Sequence, residues 1–527
     1  MSEQAFLPSV KRPALSNPRT WLWFGLCAAI LLPRAYGAIH DQGMIWADEI
    51  FQTLEQGHRL VFGYGLVPWE FRVGARSWLL PGLIGGAMKL FALLGVGSGA
   101  GLVIGVKLVF AALAVVAFYP MLRMAEAWGG VFALVLMGVF ASVFPASLIY
   151  GSRAMTEVAS APFLAWGLWL LWPWGMGRSG KSAAYSVRPV VGGRGNGVRG
   201  LLGAGALLGL ATLLRYQNGV LLPLILTIVA ARRSLRAAAW VAAGVTLVLL
   251  LGGLLDWATW GRPFQSLTAY LRFNLIEGGA NQWGIAKRGF YARVLLSANG
   301  PAVLILALGF VAGLRRTWPV ALLALSFLCV HTAISHKELR FLYPVLPMFL
   351  VCASVGLAGL LSRLPFARAR RNAATVAMAL VLLSAFALRA RYVSFKDIGQ
   401  AMDAYGYGGP TSGLVWRAFD ERNRLFEQAG THADICGLAA PTMNPYWTGG
   451  YSYLHRPVPI LWTGSRNDFD AANYVVMGPG QRMNDARYSS LSKEGAYVLY
   501  RRDGVCKKQP LGSAGFGRLT PMGVPGI

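Results

Sequence analysis

The 527-residue sequence is short of acid. It holds 22 Asp and Glu against 49 Lys and Arg, a formal net charge of +27, and charged residues make up only 13% of the chain. Soluble domains carry about 25%. So little charge excludes a disordered chain or a coiled coil and argues against a soluble globular enzyme. Cysteine is scarce as well, at five residues. That excludes a disulfide-rich miniprotein, and no CxxC or His/Cys spacing suggests a metal site. No metal or other cofactor is expected. No internal repeat recurs at a fixed period, which weakens the case for an inverted-repeat transporter.

What the chain has instead is apolar length. The apolar residues are 55% of it, with 64 glycines besides. The composition is that of an all-α polytopic membrane protein. In that class a basic excess belongs to cytoplasmic loops, not to a nucleic-acid surface; no nucleic-acid partner is expected.

A bilayer core takes about 20 apolar residues per helix. Eleven runs qualify, near 21–39, 102–122, 130–149, 156–174, 200–214, 217–231, 238–260, 298–314, 318–334, 342–362 and 373–389. The first follows Lys11, Arg12 and Arg19. It places the N-terminus inside and reads as a retained anchor, although a cleaved signal peptide fits the same residues. A twelfth run, 79–95, decides the parity. If it lies in the interface, 123–129, 175–199, 232–237, 315–317 and 363–372 collect Arg and Lys on one side, as the positive-inside rule requires. The outer segments are then 40–78, 151–155, 215–216, 261–297, 335–341 and the tail from 390.

The expected organisation is a cytoplasmic N-terminus at 1–20 and a membrane body at 21–389, with interfacial helices in the first outer loop, 40–101. A small extracytoplasmic α/β domain at 390–510 and a disordered tail at 511–527 follow. Within the small domain ANYVVMGP and GAYVLYRRD read as strands. Cys436 and Cys506 could pair there in an oxidising compartment. GMGRSGKS at 175–182 matches the phosphate-loop pattern letter for letter. That chemistry needs a strand before the loop and a helix after it; the flanks offer neither, so the segment reads as a linker.

The chemistry-bearing residues gather in the outer segments. The first loop concentrates Asp48, Glu49, Glu55, His58, Trp69, Glu70, Arg72, Arg76 and Ser77. A carboxylate there can act as a general base on a substrate hydroxyl, or the loop can be an amphipathic helix with a solvated face. Asp48 and Glu55 are seven apart, on one helical face, and Glu55 and Arg59 are spaced to pair. SHKELRFLYPVLPMF places His336, Lys337 and Arg340 at a helix mouth, where they suit a phosphate, with Glu338 to orient them. Pro344 and Pro347 break the helix that follows, as in helices that line cavities. In 256–291, Asp256 ends a long apolar run and Asn274 sits among aromatics suited to sugar contact. Arg153 with Glu157, and Arg215, read as structural ions or caps at outer helix ends.

In this order the segments resemble glycosyltransferase family 22, polytopic mannosyltransferases that use lipid-phosphate mannose and include enzymes of GPI-anchor and N-glycan assembly. The resemblance rests on Asp48-Glu49, Glu55, His58, Phe62–Gly65, Trp69-Glu70, Arg76-Ser77 and Pro81. It continues through Asp256, Trp260-Gly261, Phe273-Asn274, Trp283-Gly284 and Tyr291 to the HKExRF run at 336–341. It ends at Cys436, Tyr451, Ser452 and His455. Pro68 stands where the family has Thr, and Trp-Gly pairs replace its Tyr-Gly pairs.

The resemblance implies the GT-C architecture and a catalytic acid residue on the first outer loop. It also implies a polyprenyl-phosphate sugar donor, with mannose as the sugar, and a glycan or glycolipid acceptor. The residue reading adds Asp48 as the base, with Glu49 as the second candidate, and His336, Lys337 and Arg340 beside the donor phosphate. Glu55, His58, Trp69, Glu70, Arg76, Arg215, Asp256, Asn274 and Glu338 complete the expected substrate site. A GT-C enzyme moving an aminoarabinose-type sugar and a lipid-linked glycan flippase are the alternatives. Ala, Gly and Arg usage points to a bacterial inner membrane with the site facing the periplasm, or to the endoplasmic reticulum membrane if the source is eukaryotic.

Overall fold

A computed structural model describes residues 18–171, 197–365, 367–399, 413–441, 443–462 and 464–509. The phosphate-loop match and the tail from 511 lie outside these residues.

The apolar runs fold as helices. Six described helices are long and apolar enough to cross a membrane: Pro18–His40, Gly99–Val143, Leu235–Trp260, Val303–Ala333, Leu339–Ser362 and Ala369–Arg391. Two of them hold a pair of expected runs. Gly99–Val143 leaves helical geometry at Gly130 (φ 73°, ψ −165°). Arg34 lies over the Phe118 ring and donates to the Ala141 carbonyl at 2.7 Å. Residues equally far from the Gly129–Gly130 turn thus meet one side chain, so the two halves run antiparallel as a hairpin. Val303–Ala333 leaves helical geometry at Thr317 (φ −114°, ψ 17°), two residues before Pro319. The helix Leu79–Leu93 has 15 residues. At 1.5 Å per residue it is too short for a hydrocarbon core of about 30 Å.

With no hydrophobic driving force inside lipid, such helices associate through small residues that admit close backbones. A Cβ on Gly205 would lie 2.0 Å from the Val241 carbonyl, and one on Gly356 1.8 Å from that of Gly309. These contacts join helix Val198–Leu214 to Leu235–Trp260, and Val303–Ala333 to Leu346–Ser362.

The connecting segments sort to two ends. At one end Arg19 pairs with Glu126 at 2.5 Å, Arg233 donates to the Leu171 carbonyl at 3.3 Å and Arg232 covers the Trp318 ring. These are the segments the charge pattern assigns to the inner side. The segments assigned to the outer side converge at the other end.

There the chain builds its small domain. Strands β1 (Leu438–Ala439), β2 (Ile460–Leu461), β3 (Tyr474–Met477), β4 (Ser489–Glu494) and β5 (Tyr497–Arg501) form one sheet in the order β2-β1-β3-β5-β4. β1 is parallel to both of its neighbours, and the β3–β5 and β4–β5 pairs are antiparallel. The two expected strands are β3 and β5. Cys436 and Cys506 are bridged across 70 residues. Closing a loop of that length stabilises a fold by about 4 kcal/mol in the chain-entropy account.

The small domain docks on the first outer loop through buried polar contacts. The Glu55 carboxylate accepts from the Leu66, Tyr451 and Ser452 amides and the Ser452 hydroxyl, at 2.8 to 3.2 Å. Gly450 makes this possible. Its φ is +53°, and a Cβ there would lie 3.1 Å from both Glu55 oxygens. His58 meets His455 at 2.9 Å.

Candidate active site

The outer end holds a cavity of about 340 Å³. Its lining draws on every outer segment but one: Asp48, Gln52, Trp69, Glu70 and Arg76 from the first loop; Arg215; Asn274 and Trp283; His336, Glu338 and Arg340; and Asn444 and Trp447 from the small domain. The remaining segment, 151–155, borders Thr156 and Glu157, which also line it.

Local backbone geometry aims these side chains. The loop helix runs as α over Ala47–Glu49, as π over Ile50–Leu54 and as α again over Glu55–Phe62. A π turn inserts the equivalent of one residue, a phase shift of about 100°. Asp48 therefore does not share a face with Glu55, as the spacing of seven suggested. Asp48 faces the cavity and Glu55 faces the small domain. Arg59 does not pair with Glu55; it lies over the Trp78 ring at 5.3 Å. In the HKE run the backbone at Glu338 is extended (φ −138°, ψ 147°). Adjacent residues of an extended chain point to opposite sides, so Glu338 enters the cavity wall and Lys337 does not; Arg340 enters it from the first turn of the 3-10 helix Leu339–Val345, and His336 also lines it.

Arg340 is the hub. Its Nη2 donates to Asp48 Oδ2 at 2.8 Å and its Nε to Glu338 Oε2 at 2.6 Å. Its Nη1 lies 3.4 Å from Glu157 Oε1. The guanidinium is stacked against the Trp46 and Phe341 rings, which favours its charge and fixes its plane. His336 Nδ1 is 2.9 Å from the Gly284 carbonyl and Nε2 is 3.0 Å from Glu338 Oε1. Both partners are acceptors, an arrangement that favours the imidazolium form. Burial opposes that charge, but the hydrogen bond and proximity of Glu338 outweigh it and raise the His336 pKa. Burial likewise opposes the Glu338 charge, yet Arg340 and His336 hold its carboxyl at about 2. Asp48 keeps about a third of its side chain exposed, against 1% for Glu157. Of the three carboxylates on Arg340 it is the one open to a ligand.

The opposite wall is aromatic. Trp69 packs on Phe273 at 4.6 Å and stacks with Trp283 at 6.2 Å. Glu70 accepts from Gln52 at 2.9 Å. Burial, opposed by Arg76 and assisted by Asp48, pushes its carboxyl up to about 7.

The model of the Alg9-like mannosyltransferase family matches residues 22–409. The chain belongs to this family. It is 26% identical over 350 residues to GPI mannosyltransferase 3 of Yarrowia lipolytica, covering 64% of this chain and 63% of that one. It is 30% identical over 319 residues to GPI mannosyltransferase 3 of Drosophila melanogaster, covering 58% and 51%. The chain thus matches between half and two thirds of the length of these relatives. Among solved structures, ArnT from Cupriavidus metallidurans bound to undecaprenyl phosphate superposes with a TM-score of 0.58 at 12% identity, covering 94% of this chain and all of that one. The fold is the GT-C fold of an integral membrane protein.

Within this Alg9-like frame the expected site residues separate. Asp48, Trp69, Glu70, Arg76, Arg215, Asn274, His336, Glu338 and Arg340 line one cavity. Five do not. Glu49 is buried and pairs with Arg153 at 3.2 Å, beside the Arg153–Asp41 pair. One helical step from Asp48 turns it into the protein, away from the cavity. Lys337 donates to the Ala286 carbonyl at 2.8 Å and stays out of the cavity, apart from His336 and Arg340. Glu55 and His58 belong to the docking joint. His58 is buried against His455, which lowers its pKa to about 3 and keeps it neutral. Asp256 accepts from the Ser266 amide and hydroxyl at 2.8 and 2.5 Å. It positions the segment that carries Tyr270, Phe273 and Asn274 and does not touch the cavity.

Arg215 pairs with Glu157 at 2.9 Å, as a structural ion would, but both also line the cavity. The sequence reading missed Gln52, Asn444 and Trp447. Only the resemblance of the neighbouring tail run to the family pointed towards the last two.

Proposed function

We propose that the chain is an inverting membrane mannosyltransferase. It moves mannose from a polyprenyl-phosphate donor to a hydroxyl of a glycan or glycolipid acceptor. The observation that carries this reading is the 2.8 Å contact of Asp48 with Arg340, which joins two family motifs 292 residues apart at the open wall of one cavity. The family membership and the names of the relatives agree with it.

The acceptor oxygen attacks the anomeric carbon from the side of Asp48, and its proton passes to that carboxylate. The bond from the anomeric carbon to the phosphate oxygen breaks, and the prenyl phosphate leaves with the electron pair. One carboxylate is sufficient, since direct displacement forms no enzyme-bound sugar and a phosphate leaves without an acid. Arg340 holds Asp48 aimed at the cavity. Trp69 and Trp283 offer ring faces to the sugar.

The outer end then faces the periplasm in a bacterium or the endoplasmic reticulum lumen in a eukaryote. The bridged cysteines of the same end fit either oxidising side. The test is incubation of the purified full chain with labelled polyprenyl-phosphate mannose and a membrane lipid extract, with the product identified by mass spectrometry. Label should appear in a lipid or glycan. Transfer that survives in Asp48→Asn, or no transfer from any prenyl-phosphate sugar, overturns the proposal.

A further inference from the structure

The cations around the cavity are not equivalent. His336 is held by two acceptors, Arg340 by carboxylates, and Arg215 by Glu157. Among the described residues the Arg76 guanidinium has no hydrogen-bond or ion-pair partner. It lies over the Tyr270 ring at 5.8 Å and is half-buried. Behind it the buried Arg215 leaves Nε and Nη2 without partners. A half-buried arginine with an open fork suits a phosphate oxygen pair, the geometry a guanidinium binds in bidentate fashion.

The position of Arg76 adds a direction. A second, narrower cavity of about 40 Å³ adjoins the first, and Arg76, Arg215, Gln217 and Tyr270 line both. Beyond this polar collar the narrow cavity is walled by Leu79, Leu80, Pro81, Leu213 and Leu214. It lies where the short helix Leu79–Leu93 meets the end of helix Val198–Leu214. Further along the short helix Leu83, Leu90 and Leu93 are exposed, an apolar face suited to bilayer lipid. One path therefore leads from Asp48, past two arginines, to a leucine slot at the membrane. An amphiphile with a sugar, then a phosphate, then an isoprenoid chain has this order of polarity.

The geometry points to Arg76, with Arg215 behind it, as the site of the donor's lipid phosphate, and to the leucine slot as the exit of its first isoprene unit. This deepens the transferase reading and rests on it. It moves the phosphate from His336 and Lys337 to Arg76 and Arg215, the latter sharing Glu157 with Arg340. In the displacement the phosphate goes from a diester with one charge to a monoester with two. A cation at that oxygen therefore binds the transition state and the departing prenyl phosphate more tightly than the donor.

The test needs no turnover. Binding of a C20 polyprenyl monophosphate to the detergent-solubilised full chain is measured by thermal shift and by titration, with inorganic phosphate as a parallel probe. The wild type should bind the prenyl phosphate and show little response to inorganic phosphate, which lacks the chain. Arg76→Gln should weaken the prenyl phosphate at least tenfold, Arg76→Lys should restore part of it, and Lys337→Gln should leave it unchanged. Equal binding by Arg76→Gln and wild type, loss of binding in Lys337→Gln, or inorganic phosphate binding as tightly as the prenyl phosphate overturns the assignment. If Arg76→Gln does not fold, photolabelling of the wild type with a benzophenone prenyl phosphate decides. Label within 76–93 or 209–222 supports the site, and label within 284–299 overturns it. The two proposals fail separately. Arg76-dependent binding without sugar transfer would sink the transferase reading alone, and transfer with an unchanged donor KM in Arg76→Gln would sink this one alone.

Discussion

Asp48 and Glu49 are neighbours of the same charge, and each meets an arginine from a distant outer segment. Asp48 meets Arg340 in a wall that opens on the cavity and keeps about a third of its side chain exposed. Glu49 meets Arg153 in a closed cluster with Asp41, where Lys107 also donates to the Asp41 and Gly43 carbonyls. The first pair can change partners when a ligand arrives. The second cannot without unfolding the loop. The same residue types thus face an open cavity in one place and anchor the loop in the other, and helical phase decides which.

The largest expected effect separates the two directly. Asp48→Asn should lower sugar transfer by about 10²- to 10⁴-fold, the usual contribution of a positioned base, with little change in thermal midpoint. Glu49→Gln should do the opposite. Removing one partner of a buried pair costs about 3–5 kcal/mol, so detergent-solubilised protein should melt early while the folded fraction keeps its turnover. Equal midpoints for the two variants would erase the distinction.

Glu55→Gln sharpens the contrast with a third carboxylate of the loop. It should cost about 1–3 kcal/mol, since four donors lose a full acceptor, and limited proteolysis should release the small domain first. The smallest effect is in pH. The His336 pKa is raised, so its contribution to stability is complete below the ordinary histidine value and fades as pH rises through the higher one. Thermal midpoints should fall on the alkaline side in the wild type, and that fall should be absent in His336→Gln.

Much of this was legible before any coordinates. Apolar runs, basic loops and period-two strands are local signals, and they located the helices, the sorting of loops to two ends, and β3 and β5. Motif order foresaw that Asp48 and Arg340 meet. The rest depended on backbone phase and on tertiary partners. A π turn at Ile50–Leu54 is not written in composition, so the spacing of Asp48 and Glu55 misled. Lys337 looks like its neighbours until an extended backbone turns it away. Glu55 and His58 read as ligands because their partners, Ser452 and His455, lie nearly 400 residues on. Asp256, an acid at a helix end, proved to cap a neighbouring helix.

The small domain supplies Asn444 and Trp447 to the cavity wall. During translation the last long apolar helix among the described residues ends at Arg391, before Asn444 and Trp447 are made. The pocket is still missing a side at that moment. A nascent chain halted there would lack that wall until the segment carrying Asn444 and Trp447 is made.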